Sequence, residues 1–264
     1  MSSNITMEQL QHNLRTKVFG KQLFLSPKVD STNDWAKQLA ETGAAEGTVT
    51  LAKMQTAAHG RKGKSWTSPA GGLWLSIILR PKNKASELAK LTFTASLAVA
   101  EVLREQYDLR AETKWPNDVL VNGRKICGVL AEMNTTNEQV NNVVLGVGIN
   151  VNFQRSILPK SFRANATSIE SELGRKIIFH ELFTALMEKM EDNYQMFLNE
   201  GVGPLLERWK TYAGFLGKTV VVTESNETLT GTALDIDEDG ALIIAMEDGT
   251  KKRICLGDIV NMKR

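Results

Sequence analysis

Three stretches of the chain bring cations together with glycines or oxygen donors, the combination that phosphate chemistry requires. The first is Gln55-Thr-Ala-Ala-His-Gly-Arg-Lys-Gly-Lys-Ser-Trp66, where Arg61, Lys62 and Lys64 are interleaved with Gly60 and Gly63. Glycine lets backbone N–H groups approach a ligand, and the cations supply charge for phosphate oxygens. A solvated basic loop has the same composition, so the run alone does not decide between the two. Residues 58–65 stand one substitution from the phosphate-loop pattern G-x-x-x-x-G-K-[ST], with Ala58 at the first glycine. That pattern needs a helix directly after Lys-Ser, so that its N-terminus meets the phosphates. Trp66-Thr-Ser-Pro-Ala-Gly-Gly72 cannot form a good one, which excludes the pattern.

The second stretch, Lys114-Trp-Pro-Asn-Asp118, sets a cation and a carboxylate at the two ends of a turn, with Asn117 and Asp118 as oxygen donors suited to Mg²⁺. The third centres on Lys125, just past Asn122-Gly123. Period-two alternation puts it on one strand face with Cys127, Val129 and Ala131. A lysine there is either a frayed strand end, a snorkelling stem, or a charge held over an anionic centre. Gly128 beside it permits close approach of a ligand. Gly146-Val-Gly-Ile-Asn150 ends another strand and lacks the third glycine and helix of a dinucleotide fingerprint.

These stretches need a frame. Ser31-Thr32-Asn33-Asp34 reads as the cap of a helix over 35–41, with Asp34 in its first turn. Strands are expected at 22–25, 48–54, 73–80, 110–114, 119–121, 125–133 and 143–151. Helices are expected at 7–17, 86–106, 180–199 and 204–212. Asn122-Gly123 between strand-like runs is a hairpin signal, because both residues tolerate positive φ. Residues 55–72 form a long loop, the kind that is usually functional or disordered, and 153–167 is a second aperiodic stretch. After Gly214 the texture changes to short strands at 220–223, 229–236, 241–246 and 251–256, the pattern of a small all-β module.

Composition narrows the function. The chain has 264 residues, 42% hydrophobic and 23% charged, enough to bury a core. A formal net charge of +2 gives no whole-molecule field for gripping nucleic acid. Cys127 and Cys255 are expected to be two buried free thiols in a reducing compartment. The N-terminus lacks the apolar core of a signal peptide, and the apolar runs are too short to span a bilayer. The expectation is a soluble, cytoplasmic protein with no membrane partner.

Taken together, these segments resemble the biotin protein ligase family (biotin–[biotin carboxyl carrier protein] ligase), in its monofunctional form. The matches run in the family's order over roughly residues 20–264: Ser31-Thr32-Asn33, the 55–66 loop, Lys114-Trp-Pro-Asn-Asp118, Gly123-Arg-Lys-Ile-Cys-Gly128 with 129–132, Gly146-Val-Gly-Ile-Asn150, and Ala166-Thr167-Ser168. The resemblance implies an α+β fold. A catalytic domain over 1–213, of the class II synthetase type, would have a mixed, mainly antiparallel sheet with packed helices; an SH3-like β-barrel would cover 214–264. It implies that biotin's carboxylate attacks the α-phosphorus of ATP, with Mg²⁺, giving biotinoyl-5′-AMP, and that a lysine of a biotin carboxyl carrier protein domain then accepts the biotin.

By the same resemblance, Lys125 and Arg61 are the catalytic cations. Biotin would be bound by Ser31, Thr32, Asn33, Gln55, Gly60, Arg61, Lys125, Gly128 and Gly148. ATP and the adenylate would meet His59, Lys62, Trp66, Lys114, Asn117, Asn150 and Asn152, with Asn117 and Asp118 at Mg²⁺. The loop departs from the family's usual Gly-Arg-Gly-Arg-x-Gly: Ala58 restricts a backbone that glycine leaves free, and His59 replaces a permanent cation with one largely neutral near pH 7. Only about 20 residues precede the matched region, so no DNA-binding domain and no DNA partner are expected, and a homodimer through sheet edges is. The rival readings are a lipoate or octanoate ligase of the same fold, whose Arg-Arg-x-Ser-Gly-Gly-Gly-type loop is absent here, and a non-enzymatic nucleic-acid-binding module, which the charge disfavours.

Overall fold

A parallel pair of strands joined by a helix starts the architecture. In the computed structural model, which describes residues 6–12, 14–136, 139–224 and 227–262, β1 (Leu23–Ser26) leads through helix α2 (Thr32–Glu41) to β2 (Val49–Ala52), which lies parallel to it. A short helix, α1 (Met7–Gln11), precedes them. The remaining strands of this sheet are β3 (Leu73–Leu79), β4 (Ala111–Lys114), β5 (Asp118–Val121), β6 (Arg124–Thr136) and β7 (Gln139–Ile149). The seven run in the order β1-β2-β3-β7-β6-β5-β4, and every pairing except the first is antiparallel. This is the expected mixed, mainly antiparallel sheet.

Central β3 is buried at all seven positions, because helices cover both faces. On one face Ala36 and Ala40 of α2 pack on Ile78 and Val144, small side chains that let the helix sit close. On the other lie α4 (Leu91–Tyr107), which follows a short α3 (Ala85–Leu88), then α7 (Phe179–Glu200) and α8 (Gly203–Thr211). Between β7 and α7 come two short helices, α5 (Lys160–Arg163) and α6 (Ile169–Leu173). The single helix expected over 86–106 is thus two. The helix expected over 7–17 stops at Gln11 among the described residues. The buried Glu191 carboxylate accepts the backbone N–H groups of Lys17, Val18 and Phe19 at 2.5–2.8 Å, bonds that a continuing helix would make internally.

The C-terminal strands β8 (Thr219–Glu224), β9 (Glu227–Ile236), β10 (Leu242–Ala245), β11 (Lys251–Ile254) and β12 (Gly257–Met262) form a second, antiparallel sheet in the order β11-β10-β9-β8-β12. Four of them were expected; β12 was not. Val220, Val222, Ala233, Ile236, Leu242, Ile244, Ile254 and Ile259 give this sheet an apolar side of its own. It docks on the larger sheet where the Trp115 indole N–H donates to the Gly240 carbonyl at 2.9 Å. Cys127 is buried as expected, but Cys255 is exposed, lying outside the paired strands. No helix among the described residues is long and apolar enough to cross a membrane.

Candidate active site

A cavity of about 580 Å³ opens on the α2 side of the seven-stranded sheet, between β6, β7, the 55–66 loop and β12. Its floor is glycine. Gly128 and Gly148 sit opposite each other on β6 and β7, and Gly146 opposes Leu130. A methyl group on Gly148 would lie 2.7 Å from the Trp66 indole nitrogen, and one on Gly146 would lie 2.1 Å from Asn33 Oδ1. Neither position has room for a side chain.

Lys125 reaches this floor because β6 is irregular. Leu120 pairs with Lys125 but Val119 pairs with Cys127, so Ile126 is an extra residue and the strand bulges. The bulge corrects the face expected from strict alternation. Cys127 and Val129 go into the core, whereas Lys125 turns to the cavity beside Gly128. Its Nζ lies 2.5 Å from Asp118 Oδ1 and 5.0 Å from the centre of the Trp66 ring. The Lys125–Asp118 contact is an ion pair rather than an aligned hydrogen bond, since that buried Oδ1 has no hydrogen-bond partner. The Asn122-Gly123 turn delivers the strand as expected, with φ of 51° and 72°.

Lys114 enters from the end of β4. Burial pushes its ammonium below the ordinary lysine range, and the nearby Asp118 carboxylate offsets part of that. The side-chain amide of Asn117 donates to the Val129 carbonyl, which fixes the turn and leaves its oxygen as the remaining donor. The charged residues lining the cavity are Arg61, Lys64, Lys114 and Lys125 against Asp118 and Asp258, an excess of two positive charges suited to a polyanion.

The far end is polar and built on the start of α2. Ser31 caps the helix by accepting from the Asp34 N–H at 3.3 Å, as expected. Gln55 Oε1 accepts from both the Thr32 N–H at 2.8 Å and its hydroxyl at 3.0 Å, while Nε2 donates to Ser68 at 2.8 Å. Asn33 Oδ1 accepts from Ser76 at 2.6 Å, and its Nδ2 donates to Glu132 at 2.7 Å. Burial pushes the Glu132 carboxyl up, but hydrogen bonds from Lys37 and Asn33 and the Lys37 charge outweigh it, so the group is held below its ordinary value.

The loop folds over as a lid. The Trp66 N–H donates to the Ala58 carbonyl at 2.9 Å and the Gly60 N–H to the Lys64 carbonyl at 2.6 Å. Trp66 lies against the glycine floor with its indole N–H buried and unpaired. His59 Nε2 is 3.5 Å from the Glu132 carboxylate. Arg61 reaches across to β12.

Two expected ligand contacts fall outside this cavity's lining. Lys62 is exposed and has a positive φ of 56°. Asn152 spends both ends of its amide on the backbone of Ile177, at 2.9 Å each, and acts as a clamp on the loop before α7. Asn150 stays at the cavity, with Nδ2 donating to the Thr167 carbonyl at 2.8 Å. Sequence reasoning missed Ser76, whose hydroxyl bridges Thr32 and Asn33, and Asp258, whose partners lie in the lid. The aperiodic stretch 153–167 was a usable signal for Phe162 and Ala166, which line the cavity.

A mixed sheet carrying a cation-ringed cavity and followed by a small antiparallel sheet is accompanied by two family matches. The Biotin/lipoate A/B protein ligase family matches residues 25–150, and the Biotin protein ligase C terminal domain matches 215–261. The chain is 34% identical over 249 residues to the Bifunctional ligase/repressor BirA of Bacillus subtilis, covering 94% of this chain and 77% of that protein. It is 32% identical to the Biotin--[acetyl-CoA-carboxylase] ligase of Paracoccus denitrificans, covering 82% of this chain and 91% of that one. The solved biotin protein ligase from Aquifex aeolicus, in complex with biotin and ATP, superimposes with a TM-score of 0.80 at 29% identity, over 92% of this chain and 99% of that one. The chain belongs to the biotin protein ligase family.

Proposed function

We propose that the protein joins biotin to ATP, giving biotinoyl-5′-AMP and pyrophosphate, and passes the biotin to a lysine of a biotin carboxyl carrier protein. The observation that carries this reading is the bulge-directed Lys125, set over a glycine floor beside Asp118 and Lys114. A carboxylate attacking a phosphate brings like charges together, and cations fixed where charge develops lower that barrier. In this reading Lys125 contacts the carboxyl and α-phosphate oxygens, Lys114 the phosphates, and Arg61 the acyl phosphate from the lid. Ser31, Thr32, Asn33 and Gln55 receive the ureido end. The unpaired Trp66 indole N–H offers a donor to the ligand. Asn150 faces the adenine. A mixed anhydride hydrolyses readily, so the lid protects it from water.

Among the described residues no cluster of three or more His, Cys, Asp or Glu could hold a metal unaided. Mg²⁺ is commonly held by one or two carboxylates together with substrate phosphates. The Asp118 carboxylate, which Lys125 faces as an ion pair without an aligned hydrogen bond, and the amide oxygen of Asn117, whose nitrogen is held by the Val129 carbonyl, fit that pattern. The ion would supply charge neutralisation on the phosphates. The reading includes catalytic and C-terminal units over 1–213 and 214–264, a reducing, cytoplasmic setting for the two free cysteines, and a homodimer through sheet edges. Pyrophosphate release tests it. ATP with biotin should release pyrophosphate and ATP with lipoate should not; release with lipoate alone would make the protein a lipoate ligase instead.

A further inference from the structure

The lid and strand β12 are separated by 194 to 197 residues in sequence, yet one carboxylate joins them. Asp258 Oδ2 accepts from Lys64 Nζ at 2.7 Å, and Oδ1 accepts from the Arg61 guanidinium at 3.3 Å. The Gly257 carbonyl accepts from the same guanidinium, also at 3.3 Å. The strand behind these contacts is anchored: Asp258 pairs with Thr223 of β8, and Ile259 is buried in the core beneath. Burial pushes the Asp258 carboxyl up, but the Lys64 hydrogen bond and the Arg61, Lys64 and Lys62 charges outweigh it and hold the group below the usual aspartate value. It therefore stays ionised at neutral pH. Lys114 also feels its charge.

We propose that Asp258 is a positioning residue that latches the lid over the cavity by pairing with Arg61 and Lys64 at once. Resting on the ligase reading above, this makes the C-terminal sheet part of the adenylation machinery. Arg61, Lys64 and Lys114 are like charges around one cavity, and Asp258 offsets their mutual repulsion while no phosphate is present. The lid's cations are thereby held at the cavity rim before ATP arrives, and the closed lid lengthens the life of the adenylate.

The test uses the full chain. Asp258→Asn removes the charge and keeps the shape. Without any ligand, hydrogen exchange of the amides at 59–66 should quicken roughly fivefold, the scale of one partly exposed ion pair. Release of preformed biotinoyl-5′-AMP should quicken by a similar factor. Lys64→Glu combined with Asp258→Lys should restore both, whereas Asp258→Lys alone should not. Should Asp258→Asn lower the melting temperature, Lys64→Glu supplies the same comparison through a mostly exposed side chain. Unchanged exchange overturns the latch. Faster exchange with unchanged adenylate release overturns the positioning role. A wild type that makes no adenylate sinks the ligase reading, while the exchange measurement still judges the latch.

Discussion

The floor and the lid of the cavity face the same space but are built from different physics. The floor is three paired strands, β3, β7 and β6, with Gly128 and Gly148 in register and β3 buried along its whole length. Its geometry is set by backbone hydrogen bonds and close packing, and it has no slack. The lid is a short turn whose cations hold it through ion pairs to Asp258 and a long His59–Glu132 contact. Such contacts are individually weak and yield to a competing anion. On the proposed reading the difference is a division of labour: the floor would set the geometry that the reacting groups meet, and the lid how long the product stays.

Breaking the floor should therefore cost most. Lys125→Ala should slow adenylate formation by roughly 100- to 1000-fold, the usual loss when a group that stabilises developing charge is removed. Biotin binding should change far less, as measured by titration without ATP. An equal loss in both would assign Lys125 to ground-state binding. Gly146→Ala comes next. Its methyl group would stand 2.1 Å from Asn33 Oδ1, so the Asn33–Ser76–Glu132 network must shift. Overpacking of this kind costs about 1–3 kcal/mol. A lower denaturation midpoint together with weaker biotin binding is expected. Full stability with normal biotin affinity would show that the floor has slack and dissolve the contrast with the lid.

Legibility in the sequence follows the same divide between local and distant causes. Ser31 as a cap and Asn122-Gly123 as a hairpin turn were readable because their chemistry is settled within four residues. The small β module was readable from strand spacing, apart from β12, which follows β11 after only two residues. The face of Lys125 was misread because the Ile126 bulge belongs to the pairing with β5, not to alternation along β6. Asn152 falls outside the cavity lining because its amide is taken by the backbone of Ile177, 25 residues on. Asp258 gave no signal at all, since one aspartate in a short strand is ordinary until the lid folds onto it. The stretches that line the cavity were legible locally; which of their side chains face it was decided by tertiary pairing.

The smallest effect sharpens the comparison within the lid itself. Lys62 and Lys64 are two residues apart and carry the same charge. Lys62 is exposed and outside the cavity lining, whereas Lys64 lines the cavity and pairs with Asp258 at 2.7 Å. If net positive charge near the phosphate were what mattered, the two would be equivalent, because charge interactions decay only over a Debye length of about 8 Å at physiological salt. If the latch matters, they differ. Lys62→Ala should leave adenylate release within about twofold of wild type, as surface substitutions usually do. Lys64→Ala should quicken it roughly threefold, within the range of one exposed ion pair, and the gap should close as salt rises from 0.05 to about 0.5 M, where the pair is screened. Equal effects from the two lysines at low salt would mean that the lid works by its summed charge, not by its attachment to β12.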